Sequence, residues 1–122
     1  MTHATARGAA AAEQAPLILP PHILAALTLP ALDALTPDQA AGRVCVWEGE
    51  PLTLASSIGL GEPVTHGDRW FPQGCHRCVQ LAVLAAVKTH PAGCRQCAAD
   101  ETQCGTRRDL HALALEMRRG AW

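Results

Sequence analysis

The sequence contains very few aromatic side chains. Among its 122 residues there are no tyrosines, one phenylalanine and three tryptophans. Aromatic side chains bury the largest apolar surfaces, so a core with so few of them gains little stability from such contacts. We therefore expect a second source of stability, and a bound metal ion is one that small domains use.

The chain also lacks an apolar run that could cross a membrane. Its most apolar stretch, residues 17–35, is interrupted by Pro20, Pro21, Pro30 and the charge of Asp33. Prolines at these positions prevent a single continuous helix, and a bilayer needs about 20 consecutive apolar residues. We expect no membrane partner.

A secreted disulfide scaffold is not expected either. Residues 1–15 have no apolar core of signal-peptide length, because Arg7, Glu13 and Gln14 interrupt them. Six cysteines in 122 residues are about 5%, below the roughly 8–10% of disulfide frameworks. We expect a cytoplasmic protein.

Nine arginines against one lysine, with abundant alanine, indicate a high-GC bacterial source of actinobacterial type.

Catalytic motifs are missing as well. The sequence has no Gly-rich phosphate loop, no Gly-x-Ser-x-Gly and no His-Glu-x-x-His, and its acidic residues are scattered. A redox Cys-x-x-Cys of the thioredoxin type requires a βαβ framework that this chain does not show. We expect that the protein is not an enzyme.

What the chain does contain is a set of paired cysteines. Cys75 and Cys78 form one Cys-x-x-Cys pair, Cys94 and Cys97 form another, and fifteen residues separate the two pairs. A two-residue gap lets both thiolates of a pair bind one tetrahedral ion, and this interval is typical of zinc sites. The sequence predicts one or two structural zinc ions.

The second pair belongs to a longer pattern, in which His90 precedes it and Cys104 follows it. Four nitrogen and sulfur ligands would form a closed structural site with no open position for water. A competing arrangement places the four cysteines of both pairs on one ion. We favour two ions, because a helix from Cys78 to His90 would be about 18 Å long at ~1.5 Å per residue.

Local signals predict an α+β fold. Thr36 to Gln39 is typical of a capping box that opens a short helix ending at Gly42. Residues 43–47 alternate like a strand and lead into a turn and a β-hairpin. Residues 75–90, free of Gly and Pro, predict the central helix, which Pro91 ends and which is apolar enough to be buried or to form a dimer seam.

A second amphipathic helix is expected at the C-terminal end. Residues 109–117 place apolar side chains at helical intervals, with Thr106 as the predicted N-cap and Gly120 as the stop. The predicted organisation is therefore a disordered tail over residues 1–15, a Leu/Pro-rich arm over residues 16–32, and a zinc-binding domain over residues 33–119.

The arm has two interpretations. It packs across the zinc-binding domain or a sister subunit, or it is a semi-rigid peptide that docks on a partner through apolar anchors. The candidate anchors are Leu17, Ile18, Leu19, Ile23, Leu24 and Leu27.

The segment from Arg43 to His90 resembles a treble-clef zinc finger. In that family a cysteine knuckle, a hairpin and a helix whose first turn carries Cys-x-x-Cys follow one another. The resemblance assigns Cys45 and Gly49 to the knuckle, and Cys75 and Cys78 to the helix. Glu48 stands where the knuckle normally has its second cysteine. The fourth ligand is then Glu48, or alternatively His66.

Charge and resemblance leave the function open between three classes. Residues 69–122 carry eight basic residues against four acidic ones, but two three-thiolate zinc sites would lower their charge of +4 to about +2. We therefore expect a protein-interaction or adaptor module with a protein partner, and a homodimer is compatible with the sequence. The alternatives are a nucleic-acid-binding regulator and a redox or iron–sulfur sensor. The regulator would use Arg69, Arg77, Arg95, Arg107 and Arg108.

The iron–sulfur alternative rests on a resemblance to WhiB-type sensors. Those proteins also combine spaced cysteines with a Cys-x-x-Cys pair, and iron–sulfur clusters are held by cysteine thiolates. The Gly-rich Trp turn that follows in that family is missing after Cys104.

Overall fold

A computed structural model describes residues 17–120, and the predicted disordered tail over residues 1–15 lies outside this range. Within residues 17–120, five α-helices and five short strands form a small α+β fold, as the local signals predict. The helices are α1 (Pro21–Ala26), α2 (Pro37–Ala41), α3 (His76–Gly93), α4 (Arg95–Asp100) and α5 (Gly105–Arg118). The strands are β1 (Leu17–Ile18), β2 (Ser57–Gly59), β3 (Val64–Thr65), β4 (Asp68–Arg69) and β5 (Gln73–Cys75).

The strands form two small sheets. The first has the order β1-β2-β5, with β1 parallel and β5 antiparallel to β2. The second is the hairpin of β3 and β4, whose turn residues His66 and Gly67 both have positive φ. Turns of this kind match the right-handed twist of the flanking strands.

The hairpin expected after residues 43–47 is much shorter than the alternation suggests. It consists of one bridge between Val44 and Pro51 around a tight turn. At the start of this turn, the Val46 N–H donates to the Gln73 carbonyl at 2.9 Å, so the segment joins the first residue of β5 and does not extend its own hairpin.

Helix α2 begins and ends where the sequence predicts. The Thr36 hydroxyl accepts from the Gln39 N–H at 3.2 Å, and the Gln39 side chain accepts from the Thr36 N–H at 2.9 Å. Gly42, in the left-handed conformation at φ 81°, closes the helix. The Gln39 amide also donates to the Val46 carbonyl at 3.1 Å, which ties α2 to the turn that carries Cys45.

The apolar core lies between α3, α5 and the part of the chain that precedes α3. Val79, Val83 and Ala86 of α3 belong to one buried cluster with Leu110 and Leu113 of α5. The prediction of a buried central helix is therefore confirmed for one face of α3. Its opposite face is open to solvent, where Leu81 is 57% exposed.

Two predicted helix boundaries need correction. Helix α3 continues through Pro91 to Gly93, so Pro91 lies in the last turn, where it removes one backbone donor, and the helix ends two residues later. Helix α5 begins at Gly105, and its N-cap is Cys104 and not Thr106. The Cys104 sulfur accepts the Arg107 N–H at 3.4 Å.

The Leu/Pro-rich arm packs on the core, which is the first of its two interpretations. Leu19, Ile23 and Leu27 are buried and belong to the same apolar cluster as α3 and α5, while Ile18 is 67% exposed. The docking interpretation is wrong for the three buried side chains, since a partner cannot reach them. The predicted boundary near residue 33 divides side chains that share one core.

Among residues 17–120, none of the helices has the length and apolar character needed to cross a bilayer.

Candidate metal centres

Three cysteines distant in sequence meet beside the turn at residues 45–49. The sulfurs of Cys45, Cys75 and Cys78 all lie within 4.8 Å of one another, and those of Cys45 and Cys75 are 3.9 Å apart. Two sulfurs bound to one tetrahedral zinc at about 2.3 Å would be about 3.8 Å apart. We call these three residues the first cluster, and their spacing fits a shared ion.

Three local structures place the first cluster. Cys45 begins the tight turn, which Gly49 completes at φ 75°. Cys75 is the last residue of β5 and the N-cap of α3, where its sulfur accepts the Cys78 N–H at 3.4 Å. Cys78 lies in the first turn of α3. Gly74 is required just before them, because a Cβ there would lie 2.7 Å from the Trp47 ring.

Two carboxylates border this cluster. Glu48 and Glu50 lie with Cys75 in a group whose ligand atoms are within 4.8 Å of one another. The Cys75 thiol donates to Glu50 Oε1 at 3.6 Å, whereas Glu48 Oε2 accepts from the Arg77 guanidinium at 2.5 Å. The contact with Glu50, a hydrogen bond from Cys78 and the charge of Arg77 hold the pKa of Glu48 below its ordinary value.

His66, the alternative fourth ligand, is exposed in the β3–β4 turn. It is not part of any cluster of metal-binding side chains within residues 17–120. Glu50 is the neighbour that the sequence reasoning missed. The available signal was Gly49, since a turn closed by this glycine places Glu50 opposite Cys45, and the Cys45 N–H does donate to the Glu50 carbonyl at 2.8 Å.

A second cluster consists of His90, Cys94, Cys97 and Cys104, whose ligand atoms also lie within 4.8 Å of one another. The sulfurs of Cys94 and Cys104 are 3.7 Å apart, and His90 Nε2 lies 3.4 Å from the Cys104 sulfur. Ligands of one tetrahedral zinc would have S···S and N···S distances of about 3.8 and 3.5 Å. All four residues predicted for the second site thus come together.

The second cluster joins three helices. His90 lies in the last turns of α3, Cys94 is the N-cap of α4, Cys97 lies within α4, and Cys104 is the N-cap of α5. Cys97 and Cys104 are buried, while His90 and Cys94 are half-buried. An ion here would fix the directions of three consecutive helices.

The thiols of each cluster differ in acidity in the same way. Burial opposes ionisation of Cys45, but backbone N–H groups of Glu48, Cys75 and Trp47 outweigh it and lower its pKa. The backbone N–H of Cys97 likewise lowers the pKa of Cys94. Burial raises the pKa of Cys78, and it raises that of Cys97 to about 12.

Each cluster therefore contains one thiol with a lowered pKa, Cys45 or Cys94, beside a buried thiol whose pKa is raised. A thiophilic cation would replace the thiol protons and be bound by all the sulfurs, because metal binding releases protons from thiols. Both donor sets thus fit a metal ion, and soft sulfur donors suit zinc.

All six cysteines are free thiols, and the structure divides them into the two groups that helix length favours. It does not bring Cys75, Cys78, Cys94 and Cys97 together on one site.

No family model, no curated protein and no solved structure matches this chain.

Proposed function

We propose that the protein is a small zinc-binding module in which both clusters hold structural zinc and a groove on α3 binds another protein. The zinc assignment is supported by the donor sets, three sulfurs in one cluster and three sulfurs with one imidazole in the other. Their separations agree with tetrahedral coordination.

The order of elements around the first cluster supports a treble-clef core. The Cys45 turn comes first, the antiparallel strands β2 and β5 follow, and α3 then presents Cys75 and Cys78 at its start. The hairpin of β3 and β4 is inserted between the two paired strands. This is the order that the resemblance implies.

An iron–sulfur cluster is the weaker choice for either site. Such clusters are generally held by four cysteine thiolates. Within residues 17–120, neither cluster gathers more than three cysteines.

The observation that carries the binding role is an open groove of about 400 Å³ beside the first cluster. Its floor is the outer face of α3, where the small side chains Ala82 and Ala85 lie beside Leu81. Trp47 also lines the groove. Alanines on a helix surface allow another helix to approach closely. We propose that an amphipathic helix of a partner protein inserts one large apolar side chain here.

Catalysis is not part of the proposal. Four ligands in the second cluster leave no position for a reacting water, and catalytic zinc sites keep one open.

Nucleic-acid binding is less well supported than protein binding. Three of the five arginines considered for it face carboxylates. Arg69 contacts Glu62 at 3.2 Å, Arg77 contacts Glu48, and Arg107 lies 3.9 Å from Glu101. Arginines that are already neutralised contribute less to phosphate binding.

The test compares two exposed leucines that carry the same substitution. Leu81→Arg places a charge in the groove, whereas Leu115→Arg places it on α5, where Leu115 is 47% exposed. Affinity capture with the full chain identifies candidate partners, and each is then purified for titration calorimetry.

We expect Leu81→Arg to weaken partner binding about ten-fold or more, as loss of an interface anchor does, and Leu115→Arg to leave it unchanged. Equal affinities of both variants and the native chain would exclude the groove. Tight binding of duplex DNA at about 150 mM salt that is lost with Arg107→Ala and Arg108→Ala would replace this proposal with the regulator alternative.

A further inference from the structure

The first cluster lacks a fourth ligand among the cysteines. Tetrahedral structural zinc takes four donors, and Cys45, Cys75 and Cys78 supply three. Two carboxylates, those of Glu48 and Glu50, are close enough to compete for the remaining position. The sequence pattern alone favours Glu48, because it occupies the place of the second knuckle cysteine.

Both carboxylates contact the cluster, because Glu48 accepts a hydrogen bond from the Cys78 thiol and Glu50 accepts one from the Cys75 thiol. A sulfur and a carboxylate oxygen on the same tetrahedral zinc, at about 2.3 and 2.0–2.2 Å from it, would be about 3.5–3.7 Å apart. Glu50 Oε1 lies 3.6 Å from the Cys75 sulfur. The oxygen is therefore already at the separation that a shared ion requires.

The backbone holds Glu50 in this place. The Cys45 N–H donates to the Glu50 carbonyl at 2.8 Å, and the next residue, Pro51, forms the bridge with Val44. Cys45 and Glu50 are thus fixed opposite each other across the turn. A ligand pair held by the same hydrogen bond loses little freedom when the ion binds.

Glu48 already has a partner of opposite charge. Its Oε2 accepts from Arg77, which follows Cys75 at the start of α3. Ligation by Glu48 would require this ion pair to be broken or shared. A carboxylate that holds a charged neighbour beside a metal site is a common outer partner of the ligands themselves.

We infer that Glu50, and not Glu48, supplies the fourth ligand of the first cluster, with Glu48 and Arg77 as an ion pair beside it. This inference rests on the proposed zinc binding. The positive end of the 18-residue helix α3 stabilises the excess negative charge of three thiolates and a carboxylate.

One consequence is a difference in affinity between the two sites. A carboxylate is a harder donor than an imidazole and suits a thiolate-rich zinc site less well. Glu50 is also exposed to solvent, whereas His90, its counterpart in the second cluster, is half-buried. The first site should therefore release its ion before the second.

The test uses four variants of the full zinc-loaded chain. Glu50→Gln and Glu48→Gln remove the same charge two residues apart. Glu50→Asp keeps the charge but shortens the side chain by one methylene, which separates ligation from simple charge attraction. Glu62→Gln is the control for an exposed glutamate paired with arginine elsewhere. Zinc dissociation constants come from chelator competition, and cobalt substitution reports the coordination of each site.

We expect Glu50→Gln and Glu50→Asp to weaken one of two zinc ions by at least about ten-fold, the lower end of what even outer partners contribute. Glu48→Gln should have a smaller effect than either, and Glu62→Gln none. The second ion should bind with unchanged affinity in all variants, which shows that they fold.

A larger loss with Glu48→Gln than with Glu50→Gln would overturn the inference, as would equal losses or full affinity in Glu50→Asp. These results leave the proposed zinc-binding function standing, since the native chain still binds two ions. Absence of zinc from the native chain would instead overturn both.

Discussion

The two candidate metal-binding clusters each contain three sulfurs, but they differ in the structures that surround them. The first joins a tight turn to the start of α3 and has exposed carboxylates at its edge. The second joins the end of α3 to α4 and α5 and adds His90. We infer a different structural role for each cluster. The first would shape the surface next to the groove, and the second would hold three helices together.

The surrounding core makes the difference larger. Near the first cluster, Val46 and Val79 belong to the main apolar cluster. Between residues 94 and 104, only Cys97 and Cys104 are buried. An ion at the second cluster would therefore stabilise a segment that has no apolar core of its own. An ion at the first cluster would add to the stability of an apolar core that is already present.

Removal of both metal ions should have the largest effect. Structural zinc contributes on the order of 10 kcal/mol in small domains, more than the whole stability of many domains of this size. We expect stringent chelation to abolish the cooperative thermal transition and most helical circular dichroism. An unchanged spectrum and melting temperature in metal-free protein would show that the apolar core alone is sufficient.

Matched cysteine variants separate the two sites. Cys75 and Cys104 are both N-caps whose sulfurs accept an N–H three residues on at 3.4 Å. Serine is a preferred N-cap, so Cys75→Ser and Cys104→Ser keep the cap and remove only a metal ligand.

Each variant should bind one zinc ion in place of two. In hydrogen exchange, Cys104→Ser should lose protection across residues 94–104, while Cys75→Ser should keep it there and lose it in the turn at residues 45–50. The same pattern of protection in both variants would contradict the different roles of the two clusters.

A smaller effect is expected from Gly74→Ala. The new Cβ would lie 2.7 Å from the Trp47 ring and 2.9 Å from Val79, so side chains of the first site must move. Overpacking of this kind costs about 1–3 kcal/mol. Denaturant unfolding should show this loss, with zinc affinity reduced at the first site only. Gly93→Ala is the control, since no atom lies within 4 Å of its added Cβ.

The smallest effect concerns the support of the first cluster by α2. Thr36→Ala removes the hydroxyl of the capping box and should destabilise the protein by about 1 kcal/mol. The Gln39 backbone N–H then loses its acceptor, whereas the backbone N–H of residue 36 can still donate to the Gln39 side chain. Urea titration measures the loss, and zinc content should remain at the native value. Loss of zinc in this variant would mean that α2 positions Cys45 more strongly than the hydrogen bonds indicate.

Features decided by neighbouring residues could be predicted from the sequence. The capping box at Thr36, the stop at Gly42 and the grouping of the four second-cluster residues all depend on short intervals along the chain. The sequence left packing of the arm on the domain as one of two interpretations, because the burial of Leu19, Ile23 and Leu27 depends on α3 and α5, far away in sequence.

The ligand environment of the first cluster was harder to predict for the same reason. Spacing points to Glu48, but the ion pair with Arg77 joins residues 29 positions apart, and the contact between Glu50 and Cys75 joins residues 25 apart. Cys104 as the cap of α5 was missed because cysteine is not a usual N-cap residue.

Metal content of the intact chain tests the central claim most directly. Native mass spectrometry with elemental analysis should find two zinc ions per chain, one ion in Cys75→Ser and one in Cys104→Ser. A single ion in the native chain that both variants lose would contradict two separate sites, and iron in place of zinc would contradict the structural zinc assignment.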